Sequence, residues 1–209
     1  MPASKKLAIF DFDGTIYKYQ SPDKFADFVA RKGLRTFGLQ IVCTVLDRYY
    51  KKYWVKHKKL KLAKIKGRPL EELRKKADQF INEFIVGNLI DIVDKELEKY
   101  ILDPEFDVII ASAGYDIYLE KFARMREIPL FVATRVEIQN DSATGKWTGA
   151  DCYDYQKVAR IKEIVNLSEY DLPNSVCYSD SMSDKPIFDL VGNKFFVKKV
   201  GEEYVIKYI

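Results

Sequence analysis

The sequence predicts an α/β protein, a doubly wound and mostly parallel sheet interrupted by an all-helical insertion. Three observations predict it. A short apolar run, Lys5 to Asp11, ends at the turn dipeptide Asp13-Gly14 and reads as a buried strand. From Ser21 to about Tyr100 apolar residues recur at helical spacing instead. Beyond Asp103-Pro104, short apolar runs alternate with helical ones, the pattern of parallel strands joined by crossover helices.

Each element has its own signal. Ser21-Pro22-Asp23 starts a helix with proline in the first turn, and Ala26, Val29 and Ala30 follow on one face. Val42, Leu46, Tyr49 and Tyr53 form a second stripe. Gly67-Arg68-Pro69 interrupts the helices. Leu70, Leu73, Ala77, Phe80, Ile81 and Phe84 then form a third stripe, and Leu89 to Leu97 a fourth. Val108 to Ala111 is a strand ending at Ser112-Ala113-Gly114, and Ile117 to Met125 a helix. Leu130 to Ile138 is strand-like, and Asn140 to Gly149 holds the turn residues of a hairpin excursion. Val158 to Val165 is helical, Ser175 to Tyr178 a strand, and Ile187 to Val191 a short helix. Phe195 to Val197 and Tyr204 to Ile206 are late strands. The expected division is a Rossmann-like core of residues 1–18 and 102–209 around a helical cap of residues 19–101.

Composition excludes several function classes. The 209 residues, 47% hydrophobic, suit one core plus an insertion and exclude wholesale disorder. Three widely spaced cysteines, Cys43, Cys152 and Cys177, argue against a disulfide framework or zinc knuckle and point to a reducing, cytoplasmic setting. The single histidine, His57, excludes multi-histidine metal sites and reads as a solvated helix position. No signal peptide is visible, and no apolar stretch reaches the roughly 18 residues of a membrane span. The net charge of +4 hides an asymmetry. Arg31 to Arg68 holds 13 basic residues and one acid, Asp47, for +12, and the rest of the chain carries −8.

The chemistry-bearing residues gather at strand ends, where ligands bind in open α/β sheets. Asp11 and Asp13 flank Phe12 after the first strand, and Gly14 lets the backbone turn sharply. Ser112 follows the second strand. Asp180 and Asp184 follow a later one, four residues apart. Converging carboxylates repel unless they share a cation. Oxygen donors with no His or Cys beside them select Mg²⁺.

With these residues in place the chain resembles the haloacid dehalogenase superfamily of phosphohydrolases. Four motifs appear in order: Asp11-Phe12-Asp13-Gly14-Thr15 after an apolar strand, Ser112 after Val108 to Ala111, Lys157 at a helix start, and Asp180-Ser181-Met182-Ser183-Asp184 after Val176-Cys177-Tyr178. A helical insertion between the first two motifs is similar to the branch holding phosphoserine phosphatases and related phospholipid phosphatases. The resemblance implies Asp11 as nucleophile forming an aspartyl phosphate, and Asp13 as general acid and then base. It implies Mg²⁺ held by the Asp11 carboxylate, the Asp13 backbone carbonyl and Asp180, with Asp184 orienting metal-bound water or Lys157. Ser112, the backbone N–H groups of Ala113 and Gly114, and Lys157 would bind phosphate, with Lys162 a nearby competitor for the lysine role. Asp151 and Asp154, near the third motif, read as capping residues. The chain departs from the family at Ser179, usually Gly, and at Ser183, often Asn. Ala113-Gly114 stands where phosphoserine phosphatases tend to have two glycines, which with the basic insertion argues against phosphoserine as substrate.

The basic segment has three readings: a solvated helix face, attraction of an anionic substrate or membrane surface, or contact with nucleic acid. Tyr49, Tyr50, Tyr53 and Trp54 among lysines suit an interfacial helix or the core of the cap. The resemblance favours a Mg²⁺-dependent hydrolase of a phosphorylated small molecule or lipid headgroup, with peripheral contact to an anionic membrane as a possibility and nucleic acid disfavoured. A membrane- or nucleic-acid-binding module and a phosphotransferase using the same aspartyl phosphate are the alternatives. Oligomeric state is left open.

Overall fold

Strand β1 (Lys6–Phe10) is apolar on both faces and runs through the middle of the sheet. The computed structural model in which it lies describes residues 5–30 and 54–209, without the side chains of residues 54–56. The stripe Val42, Leu46, Tyr49, Tyr53, the aromatic group with Tyr50 and the Trp54 side chain, and the basic segment from Arg31 to the Lys56 side chain lie outside the described residues.

Parallel β2 (Phe106–Tyr115) and β6 (Val176–Ser179) flank β1. With β3 (Leu130–Thr134), β7 (Asn193–Val200) and β8 (Glu203–Tyr208) the order is β3-β2-β1-β6-β7-β8, and only β8 is antiparallel. The mostly parallel α/β sheet predicted from the alternation is therefore present. Side chains alternate across it, as the strand period of two requires. Leu7 and Ile9 face a cluster with Ile109, Ile161, Cys177 and Phe188, while Ala8 and Phe10 face the opposite one. On that second face Phe10 stacks on Tyr178 with centroids 4.6 Å apart.

Helices α1 (Ser21–Val29), α2 (Trp54–Leu62), α3 (Leu70–Phe80) and α4 (Asp91–Leu102) stand between β1 and β2. The predicted stripe in α3 is real: Leu73, Ala77 and Phe80 are buried, and it continues through a π-helical turn, Ile81–Ile85. Helices α5 (Asp116–Met125), α6 (Tyr155–Ile164) and α7 (Lys185–Phe188) belong to the crossovers. Phe25 and Phe80 of the insertion meet Tyr118 of α5 at centroid distances of 5.0 and 5.4 Å. One apolar cluster thus crosses the expected boundaries near residues 18 and 101.

Two local readings need correction and one holds. The run Leu130 to Ile138 is not one strand: it breaks at Arg135 into β3 and β4 (Val136–Gln139). The hairpin excursion expected over Asn140 to Gly149 is present: β5 (Ser142–Trp147) runs antiparallel to β4. Its two-residue loop, Asn140-Asp141, has φ of +48° and +56°, the left-handed pair that matches strand twist. Ser112 does not end β2, which continues to Tyr115 with a register shift between Ala111 and Tyr115. The hairpin is tied to the insertion by backbone bonds, Gly67 N–H to Ala143 O at 2.7 Å and Ala143 N–H to Arg68 O at 2.8 Å.

The described part of the basic segment is not simply a solvated face. Lys58, Lys61, Lys64 and Arg68 are buried. Lys61 and Lys64 both donate to Asp27, at 2.7 and 2.5 Å, and Arg68 pairs with Glu72 and the Val29 carbonyl. Positions 58, 61 and 64 share one helix face, which turns inward because it meets carboxylates there.

Candidate active site

The parallel register sets Phe10 beside both Ile110 and Tyr178, so the segments leaving β1 and β6 emerge at one end of the sheet. Asp11 leaves β1 with its N–H on the Tyr178 carbonyl at 2.9 Å. Its buried carboxylate accepts from Lys157 Nζ at 2.7 Å. Lys157, in the first turn of α6, also donates to Asp184 Oδ2 at 2.8 Å. Lys162, one turn on, is exposed, which separates the two lysine candidates. Asp184 is held in turn by the Ser179 hydroxyl at 2.7 Å, so the serine in place of the family's usual glycine has a bond to make. The other Asp184 oxygen, Oδ1, is buried with no hydrogen-bond partner among the described residues.

Thr15 joins the two halves of the site. Its hydroxyl accepts from the Asp180 N–H at 3.0 Å and lies 3.3 Å from Asp11 Oδ2. Gly14 has φ +84°, and a Cβ there would fall 2.2 Å from Asp180 Oδ2. Glycine is therefore required twice, by the backbone and by the carboxylate that presses on it. Asp13 turns toward the insertion and accepts the Ser21 N–H at 2.8 Å, placing a carboxylate at the N-terminus of α1.

Burial dominates the electrostatics. It pushes the Asp11 carboxyl well above the usual range; Lys157 opposes this, and the neighbouring Asp184 and Asp180 add to it. Burial likewise raises Asp13 to about 6, against the Ser21 bond and the positive charge of Lys58. Asp180 is raised by burial as well. For Lys157 burial disfavours the charge, but Asp11 and Asp184 outweigh it and hold the ammonium protonated.

Among the described residues no three His, Cys, Asp or Glu side chains are grouped to hold one metal ion. The donor set still fits Mg²⁺, which takes one or two carboxylates and keeps several waters. Asp11 and Asp180, both touched by the Thr15 hydroxyl, would offer two carboxylates, and Asp184 Oδ1, without a partner among the described residues, can accept from a water.

These groups open on a cavity of about 430 Å³ lined by Asp11, Asp13, Lys157, Asp180, Asp184 and Ala113, together with Tyr153 and, from the insertion, Gln20, Asp23 and His57. His57 is not a solvated position: it pairs through Nδ1 with Asp23 Oδ2 at 3.2 Å and faces the cavity. Ser112 is fully buried and is not part of the cavity wall, which Ala113 forms. The Ser112 Oγ accepts the Gly114 N–H at 2.8 Å. Asp151 is not a helix cap: its carboxylate binds Lys58 and the Thr134 hydroxyl. Asp154 occupies the N-cap position of α6, but its side chain caps nothing. The pairings of Asp23 with His57, of Asp151 with Lys58, and of Asp13 with α1 leave no signal in the sequence, because each partner lies on another element.

Comparison with known proteins agrees with this architecture. A protein from Bordetella pertussis Tohama I of unknown function superposes with TM-score 0.74 at 21% identity, over 92% of this chain and 89% of that one. A substrate-bound phosphoserine phosphatase superposes with TM-score 0.65 at 19% identity, over 91% and 84%. At such identities the likeness is one of fold. A Mycobacterium tuberculosis protein described as a probable phosphatase is 30% identical over 87 residues, 42% of this chain and 30% of its own length. The match thus spans under a third of that relative. The model of haloacid dehalogenase-like hydrolases matches residues 8–189, from β1 to past α7, and the chain belongs to that family.

Proposed function

We propose that this chain is a Mg²⁺-dependent phosphomonoester hydrolase working through an aspartyl phosphate on Asp11. The observation that carries the reading is the buried chain Asp11–Lys157–Asp184 at the mouth of β1, with Asp13 facing the same cavity. Mg²⁺ at the Asp11 and Asp180 carboxylates would offset the repulsion between an anionic nucleophile and an anionic ester. The side chains do the rest. Lys157 fixes the Asp11 carboxylate and carries positive charge to the phosphoryl oxygens. Asp11 attacks phosphorus as the bond to the leaving oxygen breaks, and Asp13 gives that oxygen its proton. Asp13 then takes a proton from water, which attacks the aspartyl phosphate and frees Asp11 and orthophosphate. Asp13 suits both steps because its bond to the α1 terminus fixes it and burial keeps its carboxyl poised between forms.

In this reading residues 19–101 form a cap that closes one side of the cavity. Gln20, Asp23 and His57 would meet the leaving group, and the cavity volume suits a compact ester. The inward pairing of Lys58, Lys61, Lys64 and Arg68 removes four charges from any membrane-facing surface. Among the described residues no helix is long and apolar enough to cross a membrane. A reducing, cytoplasmic setting belongs to the same proposal, in keeping with the buried free thiols of Cys152 and Cys177.

The test is phosphate release from p-nitrophenyl phosphate and from a panel of sugar, nucleotide, amino-acid and lipid phosphates. Release should require Mg²⁺, stop with EDTA, and fall at least about 10³-fold in Asp11→Asn, the scale of losing a covalent nucleophile. Turnover that survives in Asp11→Asn would overturn the reading. Stimulation by alcohol or sugar acceptors would point to phosphotransfer instead.

A further inference from the structure

Lys58 is a fully buried charge of the insertion, and it enters the chemistry above only through the effect of its charge on Asp13. It projects from α2, is 0% exposed, and among the described residues its ammonium reaches acceptors on three other segments. These are the Ala113 carbonyl of β2, the Thr134 hydroxyl of β3 at 3.2 Å, and the Asp151 carboxylate ahead of α6. The Tyr115 and Trp147 rings flank it, with centroids 5.3 and 5.4 Å from Nζ. Thr134 closes the group: its Oγ accepts the Cys152 N–H at 3.1 Å and lies 2.6 Å from Asp151 Oδ1 and 3.0 Å from the Ala113 carbonyl. Burying an ammonium is expensive unless such partners surround it, so the arrangement calls for a reason beyond packing.

We propose that Lys58 is a positioning residue, which holds the Ala113 carbonyl back from the cavity and fixes the Ser112–Gly114 segment in a form that accepts phosphate. The proposal rests on the phosphatase reading and deepens it. A trans peptide points its C=O and the following N–H in opposite directions. Drawing the Ala113 oxygen toward Lys58 therefore aims the Gly114 N–H the other way, where it meets Ser112 Oγ at 2.8 Å. With that lone pair occupied, the Ser112 hydroxyl proton is directed elsewhere. Ala113 forms part of the cavity wall, and β2 slips register between Ala111 and Tyr115, so the ladder leaves this peptide less constrained than its neighbours. Without Lys58 the carbonyl could turn its negative end toward the bound anion. The same side chain joins the insertion to the phosphate site, so seating α2 and shaping that segment become one event.

The test measures binding of inorganic phosphate in the presence of Mg²⁺ by calorimetry, alongside p-nitrophenyl phosphate kinetics and thermal melts, for Lys58→Met, Ser112→Ala and the double variant. Lys58→Met should weaken phosphate binding and raise KM by about tenfold, with a smaller change in kcat. Acting through one segment, the double variant should lose no more than the worse single one. A lower Tm with unchanged phosphate affinity and KM would overturn the proposal, as would losses that multiply in the double variant. Asp151→Asn weakens the charge partner without emptying the core and carries the test if Lys58→Met does not fold; unchanged phosphate binding there overturns the proposal too. Absence of phosphate binding in the unaltered protein would also overturn it. If phosphate binds and Lys58→Met weakens it while no ester is turned over, the phosphatase reading fails and Lys58 keeps its role.

Discussion

Single residues in this protein are asked to meet two demands at once, and substitutions can separate them. Gly14 must adopt φ +84° and leave room for the Asp180 carboxylate. Gly14→Ala should therefore cost about 1–3 kcal/mol of stability from backbone strain alone. With Asp180 as a proposed Mg²⁺ ligand, it should weaken Mg²⁺ binding as well, because Asp180 has to move; calorimetric titration with Mg²⁺ separates that loss from the Tm change. Asp116 poses a different conflict. It opens α5, and one oxygen, Oδ1, accepts both the Ile117 and the Val136 N–H at 3.0 Å. Burial nevertheless raises its carboxyl to about 6, against those two bonds. A carboxyl raised on folding stabilises the protein below its unfolded value near 4, and that contribution is lost as pH climbs through about 6. Asp116→Asn keeps both bonds on its carbonyl oxygen and carries no charge. Urea unfolding should find it more stable than the parent at pH 7, by about 2 kcal/mol, with the advantage gone at pH 4. A parent whose stability does not fall between pH 4 and 6 would contradict the assignment.

At the scale of elements, α1 and the segment from α2 to Ile65 are joined by charge as well as by apolar packing. Asp27 of α1 receives Lys61 and Lys64 and is held below its ordinary range: burial would raise it, but the two ammonium bonds prevail. Its side chain is 39% exposed, so the pairs are worth less than fully buried ones. Asp27→Ala should cost about 1–2 kcal/mol in chemical denaturation, less than the 3–5 kcal/mol of a fully buried pair. Because the Asp27 carboxyl is depressed, the parent should lose this contribution as pH falls below about 4, and the two proteins should converge there. The same contact marks where the sequence is legible and where it is not. Strands β1, β2 and β6, and the carboxylates at their ends, are legible because a fully buried strand is a local apolar run stopped by a turn. The π turn continues a visible stripe. Lysines at 58, 61 and 64 are visible as a repeat of three, but their carboxylate partners, Asp27 and Asp151, lie 34 or more residues away. Nothing local distinguishes an inward lysine from a solvated one. The hairpin β4–β5 is visible as turns after a strand-like run, but the pairing of its outer edge with Arg68 and Pro69 is not, because those partners lie on a distant segment of the chain.

For the whole molecule, the sharing of one core between sheet and insertion decides how it unfolds. Phe12, between Asp11 and Asp13, meets Phe122 of α5 edge-on at 5.0 Å. Tyr118 on the same helix meets Phe25 and Phe80, and its hydroxyl pairs with Ser21 at 2.6 Å. Lys58 adds a polar tie from α2 to β2 and β3. A helical layer held only by a linker would melt by itself and leave the sheet folded. Here the insertion cannot leave without exposing Phe12 and Tyr118, and the sheet end cannot loosen without releasing Ser21 from both Asp13 and Tyr118. Equilibrium unfolding in urea should therefore be a single transition, with far-UV circular dichroism and tryptophan fluorescence coincident. If Mg²⁺ binds as proposed it should move both probes together, by about 2.7 kcal/mol at a hundred times its Kd, since the carboxylates proposed to hold it follow two strands of the shared layer, β1 and β6. In Asp11→Asn that increment should shrink while the two probes stay coincident, because the substitution would alter a proposed ligand of the ion and not the core. Two separated transitions in the parent would instead mean that the aromatic contacts between α1, α3 and α5 add little to stability, and that the insertion opens as a unit over the cavity.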